Sequence, residues 1–512
     1  MLKWWGGKSD HPLADPKETK KLLAELPAGD SFKALEEIVY WLESLGSAED
    51  FRCDARLQAV DALDTAAKPH QRRLSQEYLS VQRLQKFQEN RIWTAVCGFW
   101  TALGAAYGRC VQDYRAGIKG AGAMRGQLPA ALAREVRATG LRLKWLLLRY
   151  EPVEERLWSD LGGLAGFAEQ NGCLQDEIII YPGQFGQGSI QRELLKPLLL
   201  WISAPGSLLP TQLEIAERVG AHLSGKATLA PEPGPDRPYC FDPASGRPPG
   251  RLPQGTEAPL GAWYFGAGAA AGELARLTEQ VMRGRLPEDF NLGGSYDSEV
   301  ILEVLRHLAR HWQPTPPTRH HERRPAMARL SVAPGRGALL RQTDGGGDEE
   351  ESVESWVVEN VSDGGYGAFV SRVQGDWLKV GSLVGLRAET APHWGVGIVR
   401  RMVRGKDGIR VGIESLSAVV LPVVLAAAGS RALARRAGEE GADGRSLLLS
   451  RTPDATGEIL VALAPGNYNL VQGLEMTVGE KRYGVVPTKL LESGDDYDLA
   501  KFRVVKKLGG EG

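Results

Sequence analysis

The spacing of apolar side chains changes partway along the chain. From about residue 30 to 312 they recur every three or four positions, the period of a helix buried on one face. In "SFKALEEIVYWLESL" the residues Phe32, Leu35, Ile38, Val39, Leu42 and Leu45 form one stripe, and Asp30 or Ser31 can cap it. Residues 73–114 keep that spacing through Leu84, Phe87, Val96, Phe99, Leu103 and Tyr107, which predicts one long helix or two broken near Gly98. Further helices are predicted at 128–150, 189–203, 211–223, 270–284 and 297–312, the last burying Ile301, Val304, Leu305 and Leu308. Trp93, Trp100, Trp145 and Trp201 fall at core spacing and read as packing. Residues 225–260 break the pattern: dense in Pro and Gly, they read as a long loop that divides the helical part.

"QPTPPT" at 313–318 reads as a hinge, because its prolines remove donors and stiffen the chain just after a helix. Beyond it the period falls to two. Strands are predicted at 329–333, 354–361, 366–371, 383–388, 394–404 and 409–413, the last pair joined by the turn sequence "GKDG". Six short strands with turns between them suggest a small antiparallel barrel. A second set runs through "RSLLLS", "EILVAL", "NYNLVQGLEMTV", "KRYGVV" and "YDLAKFRVV", while 420–440 fits strand or helix. The expected fold class is α+β multidomain: an all-α N-terminal scaffold (1–312), the hinge (313–318), a small barrel (319–422) and a C-terminal β-unit (440–512).

Composition narrows the function classes. The 512 residues carry 62 basic and 63 acidic side chains, a net charge of −1, so nothing global favours DNA, RNA or an anionic membrane. Cys53, Cys97, Cys110, Cys173 and Cys240 are scattered, with no C-x-x-C, which suits a reducing compartment. The N-terminus lacks a signal-peptide apolar stretch, and "AVVLPVVLAAAG" at 418–429 is too short to span a bilayer, so no transmembrane segment and a cytoplasmic location are expected. No nucleophile elbow, Walker loop or H-E-x-x-H is present. The Gly266-x-Gly268-x-x-Ala271 pattern mimics a dinucleotide fingerprint without its parallel strand and acidic partner, and reads as helix packing.

One stretch carries more polar and glycine residues than a turn requires. "ENVSDGGYGAF", 359–369, places Asn360, Ser362, Asp363, Gly364 and Gly365 where a hairpin needs two such residues. Ahead of the first barrel strand, "TRHHERRPAMARLSV" holds Arg319, Arg323, Arg324 and Arg329. Guanidinium forks match phosphate oxygens and the O6/N7 edge of guanine, an Asn amide and a Ser hydroxyl add neutral partners, and Gly365 lets a ligand approach bare backbone. Adjacent His320 and His321 have no companion at ligand spacing, so no metal is expected.

The basic segment, "NVSDGG" and the following "WGVGIVRRMVRGKDGIRVGIESL" resemble a PilZ domain, the bacterial receptor module for cyclic di-GMP, over residues 318–420. That family carries R-x-x-x-R before its first strand and D/N-x-S-x-x-G across its second and third. Asn360, Ser362 and Gly365 match the latter in full. The arginine half departs: Arg319 and Arg323 have the spacing but lie early, Arg329 has the place, and Arg324 to Arg329 is one residue too long. Either the tether loops out by one residue or the earlier pair serves. The resemblance implies a non-enzymatic receptor in which Arg319, Arg323, Arg324, Arg329, Asn360, Ser362 and Gly365 bind cyclic di-GMP, without cofactor, and signal to a protein partner through the helical scaffold. The alternatives are an adaptor whose degenerate barrel binds nothing, and an enzyme hidden within 30–312, which would need a polar pocket among the helices. The acidic run "DGGGDEEESVE" is expected on a loop at the far end of the barrel.

Overall fold

A computed structural model describes residues 11–80, 85–183, 186–252, 259–288, 290–315, 322–343, 353–427, 444–450, 452–468 and 473–508. The chain forms two compact units, Met1–Pro317 and Thr318–Gly512.

The first unit is built mainly of helices: α1 (Ser31–Ser47), α2 (Cys53–Tyr78), α3 (Lys86–Arg115), α4 (Leu128–Leu147), α5 (Glu155–Gln170), α6 (Ile190–Ile202), α7 (Pro210–Leu223), α8 (Ala270–Met282) and α9 (Ser298–His311). Asp30 caps α1, its carboxylate accepting from Lys33 N at 3.1 Å, and the stripe of Leu35, Ile38, Leu42 and Leu45 is fully buried. Helix α3 runs unbroken through Gly98, around which a side chain would meet nothing, and the interruption lies before it, between α2 and α3. Gly104 and Gly108 face α4 instead, where an added Cβ would approach Ala138 and Glu135. Trp100 and Trp145 are buried, and half-buried Trp93 donates its indole N–H to Trp145 O at 2.7 Å.

The Pro- and Gly-rich segment is not a plain loop. Thr228–Ala230, Trp263–Gly266, Tyr239–Phe241 and Gly250–Arg251 form a four-stranded antiparallel sheet in that spatial order. Its two central strands are aromatic, and Tyr239, Phe241, Trp263, Tyr264 and Phe265 are all buried. The glycine-rich stretch after Trp263–Gly266 does lead into a helix, α8, but the strand's partners are antiparallel, unlike a dinucleotide fold.

The second unit contains two closed six-stranded barrels. The first comprises β1 (Arg324–Pro334), β2 (Glu354–Ser362), β3 (Gly365–Val370), β4 (Leu383–Ala388), β5 (Gly395–Arg404) and β6 (Ile409–Ser417); the second comprises β7 (Leu421–Ala427), β8 (Arg445–Leu448), β9 (Glu458–Leu463), β10 (Leu474–Val478), β11 (Lys481–Ser493) and β12 (Asp498–Leu508). The spatial order is β1-β2-β3-β6-β5-β4 with β4 closing on β1, then β7-β8-β9-β12-β11-β10 with β10 closing on β7. Each strand of the second barrel stands six places after its counterpart, so the second repeats the topology of the first. Closure leaves no open sheet edge.

The alternation that predicted the strands is the inside–outside pattern of the wall: Trp356 and Val358 point inward while Ser355 and Val357 are exposed. After β1 the chain forms α10 (Gly335–Thr343), whose Leu339 packs on bare Gly385 of β4. One apolar cluster joins Leu339, Leu383, Trp394 and Ile398 to Leu447, Ala462, Tyr497 and Leu499 of the second barrel. Around it Arg400 makes a fork of two 2.7 Å hydrogen bonds to Glu492, and Arg336 donates its backbone N–H to Asp496 at 2.6 Å. A shared core and paired charges hold the two barrels together.

Candidate functional site

The β2–β3 hairpin explains why "ENVSDGGYGAF" is so rich in turn residues. The turn itself consists of Asp363 and Gly364 alone, a two-residue connection between Ser362 and Gly365, which face each other in the ladder. Asn360, Ser362 and Gly365 therefore lie on strands. Gly365 has φ +148°, and a Cβ there would stand 1.9 Å from Ile413 O of β6, so only glycine fits. Ser362 donates its hydroxyl to Gly365 O at 3.4 Å. The side chain of Asn360 lies across Gly367 on the outer face of the barrel: a Cβ at 367 would be 2.6 Å from both Nδ2 and Oδ1. Asn360 Oδ1 is buried and accepts no hydrogen bond. A buried acceptor left so is costly unless something else supplies a donor.

The arginine-bearing segment runs beside these residues. In the β1–β2 ladder Arg324 faces Val361, Pro325 faces Asn360, Ala328 faces Val358 and Arg329 faces Val357. A bulge between Pro325 and Ala328 sets three steps of β1 against two of β2. The extra residue between Arg324 and Arg329 is thus taken up locally, and both arginines remain on the strand beside the second motif. Arg323 immediately precedes β1, and all three are exposed, with no ion pair to any described residue. Arg319, His320, His321 and residues 316–318 of the proline segment lie outside the described residues, as do 344–352 of the acidic run. Glu354, the last carboxylate of that run, is buried at the opposite end of the ladder from Arg324, accepting from the indoles of Trp356 and Trp377, both at 2.9 Å.

Across the outer wall one row of paired residues reads Asn360, Gly367, Gly412, Arg401. The lack of side chains at the two glycines forms a shallow trough, filled at Gly367 by the Asn360 amide and half-exposed at Gly412, with an exposed guanidinium at the far rim. Arg401 has no ion pair with a described residue, whereas neighbouring Arg400 is held by Glu414 and Glu492. Sequence reading missed Arg401 because its place opposite Asn360 arises from pairing between strands far apart in the chain. The trough thus has exposed guanidinium groups on both sides and a buried, unpartnered amide oxygen between them, an arrangement suited to an anionic, hydrogen-bonding ligand.

The helical unit has a polar interior of another kind. Tyr107 and Tyr181 each donate a hydroxyl to Asp64, at 2.9 and 2.8 Å, while Arg137 forks onto Glu193 at 2.7 and 2.9 Å. Burial raises the Asp64 carboxyl above its usual range, opposed by those hydroxyls. Burial would raise Glu193 as well, but Lys196 and Arg137 outweigh it and hold it at about 2. Lys68, Arg134 and Arg137 stand within 5.0 Å of the Tyr181 ring centroid, fastening Tyr181 to the helices. Among the described residues no helix is long and apolar enough to cross a membrane.

Comparison with known proteins points to the half of the chain in which the sequence offered no motif. The cyclic-di-GMP receptor FimW of Pseudomonas aeruginosa is 28% identical over 164 residues, a stretch covering 31% of this chain and 25% of that protein. Residues 17–234, within the helical unit, match the family described as the N-terminal domain of the cyclic-di-GMP receptor FimW.

Proposed function

We propose that the chain is a cyclic di-GMP receptor whose ligand lies on the outer wall of the first barrel, a PilZ-like module. The observation that carries this is the β1–β2 register, which puts exposed Arg324 and Arg329 on the strand next to Asn360, whose buried amide oxygen has no hydrogen-bond partner. Arg323, Arg324 and Arg329, with Arg319 of the preceding segment, hold phosphates and guanine edges; Asn360 and Ser362 hydrogen-bond the ligand, and Gly365 keeps the hairpin close to β6. The similarity of residues 17–234 to a receptor's N-terminal domain supports the receptor part of this reading and does not bear on where the ligand lies.

Arg319 lies between the 313–318 proline segment and β1, so ligand that engages it together with the β1 arginines restrains that segment and changes the surface the helical unit offers a protein partner. Such a shift requires that the two arrangements bind ligand with different affinity. The adaptor alternative rests on the long arginine spacing, which the bulge absorbs, and on the acidic run, of which 344–352 lie outside the described residues. Titration calorimetry with cyclic di-GMP tests the proposal: the unaltered chain binds, and Arg323→Ala/Arg324→Ala and Asn360→Ala each weaken it. Equal heats in all three would place the ligand elsewhere.

A further inference from the structure

The first barrel has a cleft next to the trough that the two sequence motifs do not account for. Its volume is about 280 Å³, and its walls are Glu359, Phe369, Arg410 and the hairpin Gly405–Gly408. Its lining residues neighbour those of the trough along three strands. Glu359 adjoins Asn360 on β2, Phe369 lies two residues beyond Gly367 on β3, and Arg410 two residues from Gly412 on β6. Two residues along a strand is about 7 Å. Glycines shape this place too: Gly408 has φ +149°, and a Cβ there would stand 2.8 Å from the Phe369 ring, so the bare hairpin pins the ring from one side.

We infer that this cleft holds one guanine base of the ligand, with Phe369 as the stacking surface and Glu359 with Arg410 reading the base edge; the inference rests on the cyclic di-GMP reading above. The volume suits a single base, falling just below the roughly 300–1,000 Å³ of sites that enclose a drug-sized molecule. The chemistry suits guanine in particular. Its Watson–Crick edge presents two adjacent N–H donors, N1–H and N2–H, which one carboxylate can accept together; adenine presents no such pair. Arg410 supplies the donors for O6 and N7. Its guanidinium stands 5.6 Å from the Phe369 centroid, and its Nε donates to both oxygens of Glu359 at 3.2 and 3.3 Å. Those bonds are long and the side chains are 66% and 37% exposed, so the pair is weak and a base displaces it at little cost.

The experiment is calorimetric titration of the full chain with cyclic di-GMP and, separately, cyclic di-AMP, for the unaltered protein and for Phe369→Ala, Phe369→Trp, Glu359→Gln and Asn360→Ala. Phe369→Ala is expected to weaken cyclic di-GMP binding on the order of tenfold, and Phe369→Trp to keep it, because stacking needs a ring and no particular one. Glu359→Gln is expected to narrow the preference for cyclic di-GMP over cyclic di-AMP by roughly tenfold or more. Glu359 is on the surface, so this arm stands even if Phe369→Ala fails to fold. If Asn360→Ala loses binding while Glu359→Gln keeps both affinity and preference and Phe369→Ala, folded, binds normally, the base cleft is wrong and the receptor reading survives. Failure of the unaltered chain to bind cyclic di-GMP overturns both.

Discussion

Replacing Gly367 by alanine separates binding from folding. Its φ is not positive, so the strand backbone accepts an L-residue without strain. The added Cβ would stand 2.6 Å from Oδ1 and Nδ2 of Asn360 and 2.8 Å from its Cγ. The atoms in the way are the far end of a half-buried side chain on the outer face, so the amide swings aside by about 1 Å while the wall stays in place. Loss of unfolded-state freedom favours the variant by about 0.4–1 kcal/mol and offsets the displacement, leaving stability within about 1 kcal/mol of the original. The ligand loses one or two neutral hydrogen bonds, about 1–3 kcal/mol, which is roughly 5- to 150-fold in affinity. Thermal melting and titration calorimetry on the same preparation measure both quantities. Unchanged affinity in a folded variant would show that the Asn360 amide does not touch the ligand. A large loss of stability would show that the amide is a structural strut, and the reasoning from its open acceptor would fail.

The remaining predictions concern other parts of the account. Gly365→Ala, whose Cβ would meet the backbone oxygen of Ile413 at 1.9 Å, is expected to lose several kcal/mol in urea unfolding, in contrast to Gly367→Ala. Arg401→Ala removes the exposed cation across the trough; cyclic di-GMP affinity should fall about three- to thirtyfold and depend less steeply on salt, both read from titrations at two ionic strengths. Glu135 on α4 has a buried Oε2 with no hydrogen-bond partner, and burial, with Asp160 nearby, raises its carboxyl to about 8. A raised carboxyl pKa gives stability that is present below about 4.5 and lost as pH rises through about 8, so Glu135→Gln should melt higher than the unaltered chain at pH 9 and alike at pH 4. Because the residue as a whole is only half-buried, the gain at high pH is expected to be about 1–2 kcal/mol, below the full value of such a shift.

What could be read from the sequence follows from how local each signal is. The barrel strands were legible within a few residues because one face of each is buried and the alternation is written into neighbouring positions, as in Trp356 and Val358. Most helices were legible for the same reason. Gly98 misled because a single glycine costs a long helix only about 1 kcal/mol, and packing of Phe99, Trp100 and Leu103 outweighs it. The small sheet around Tyr239–Phe241 and Trp263–Gly266 was hidden by prolines and glycines flanking strands only two to four residues long. In the candidate site, Asn360, Ser362 and Gly365 formed a contiguous motif, whereas Arg401, Gly412 and the Phe369 cleft are assembled by pairing between strands. The bulge at Pro325–Ala328 could not be inferred from the arginine spacing it reconciles, and the repeated barrel topology lies in strand order, with no shared motif to announce it.

Everything functional depends on the arginine segment and the β2–β3 hairpin gripping the same molecule. Hydrogen–deuterium exchange of the full chain, with and without saturating cyclic di-GMP, tests this directly. The account predicts joint protection of peptides spanning 319–329 and 359–369, with the corresponding strands of the second barrel, 445–463, unchanged. Protection of one segment without the other, or protection confined to the second barrel, would contradict it.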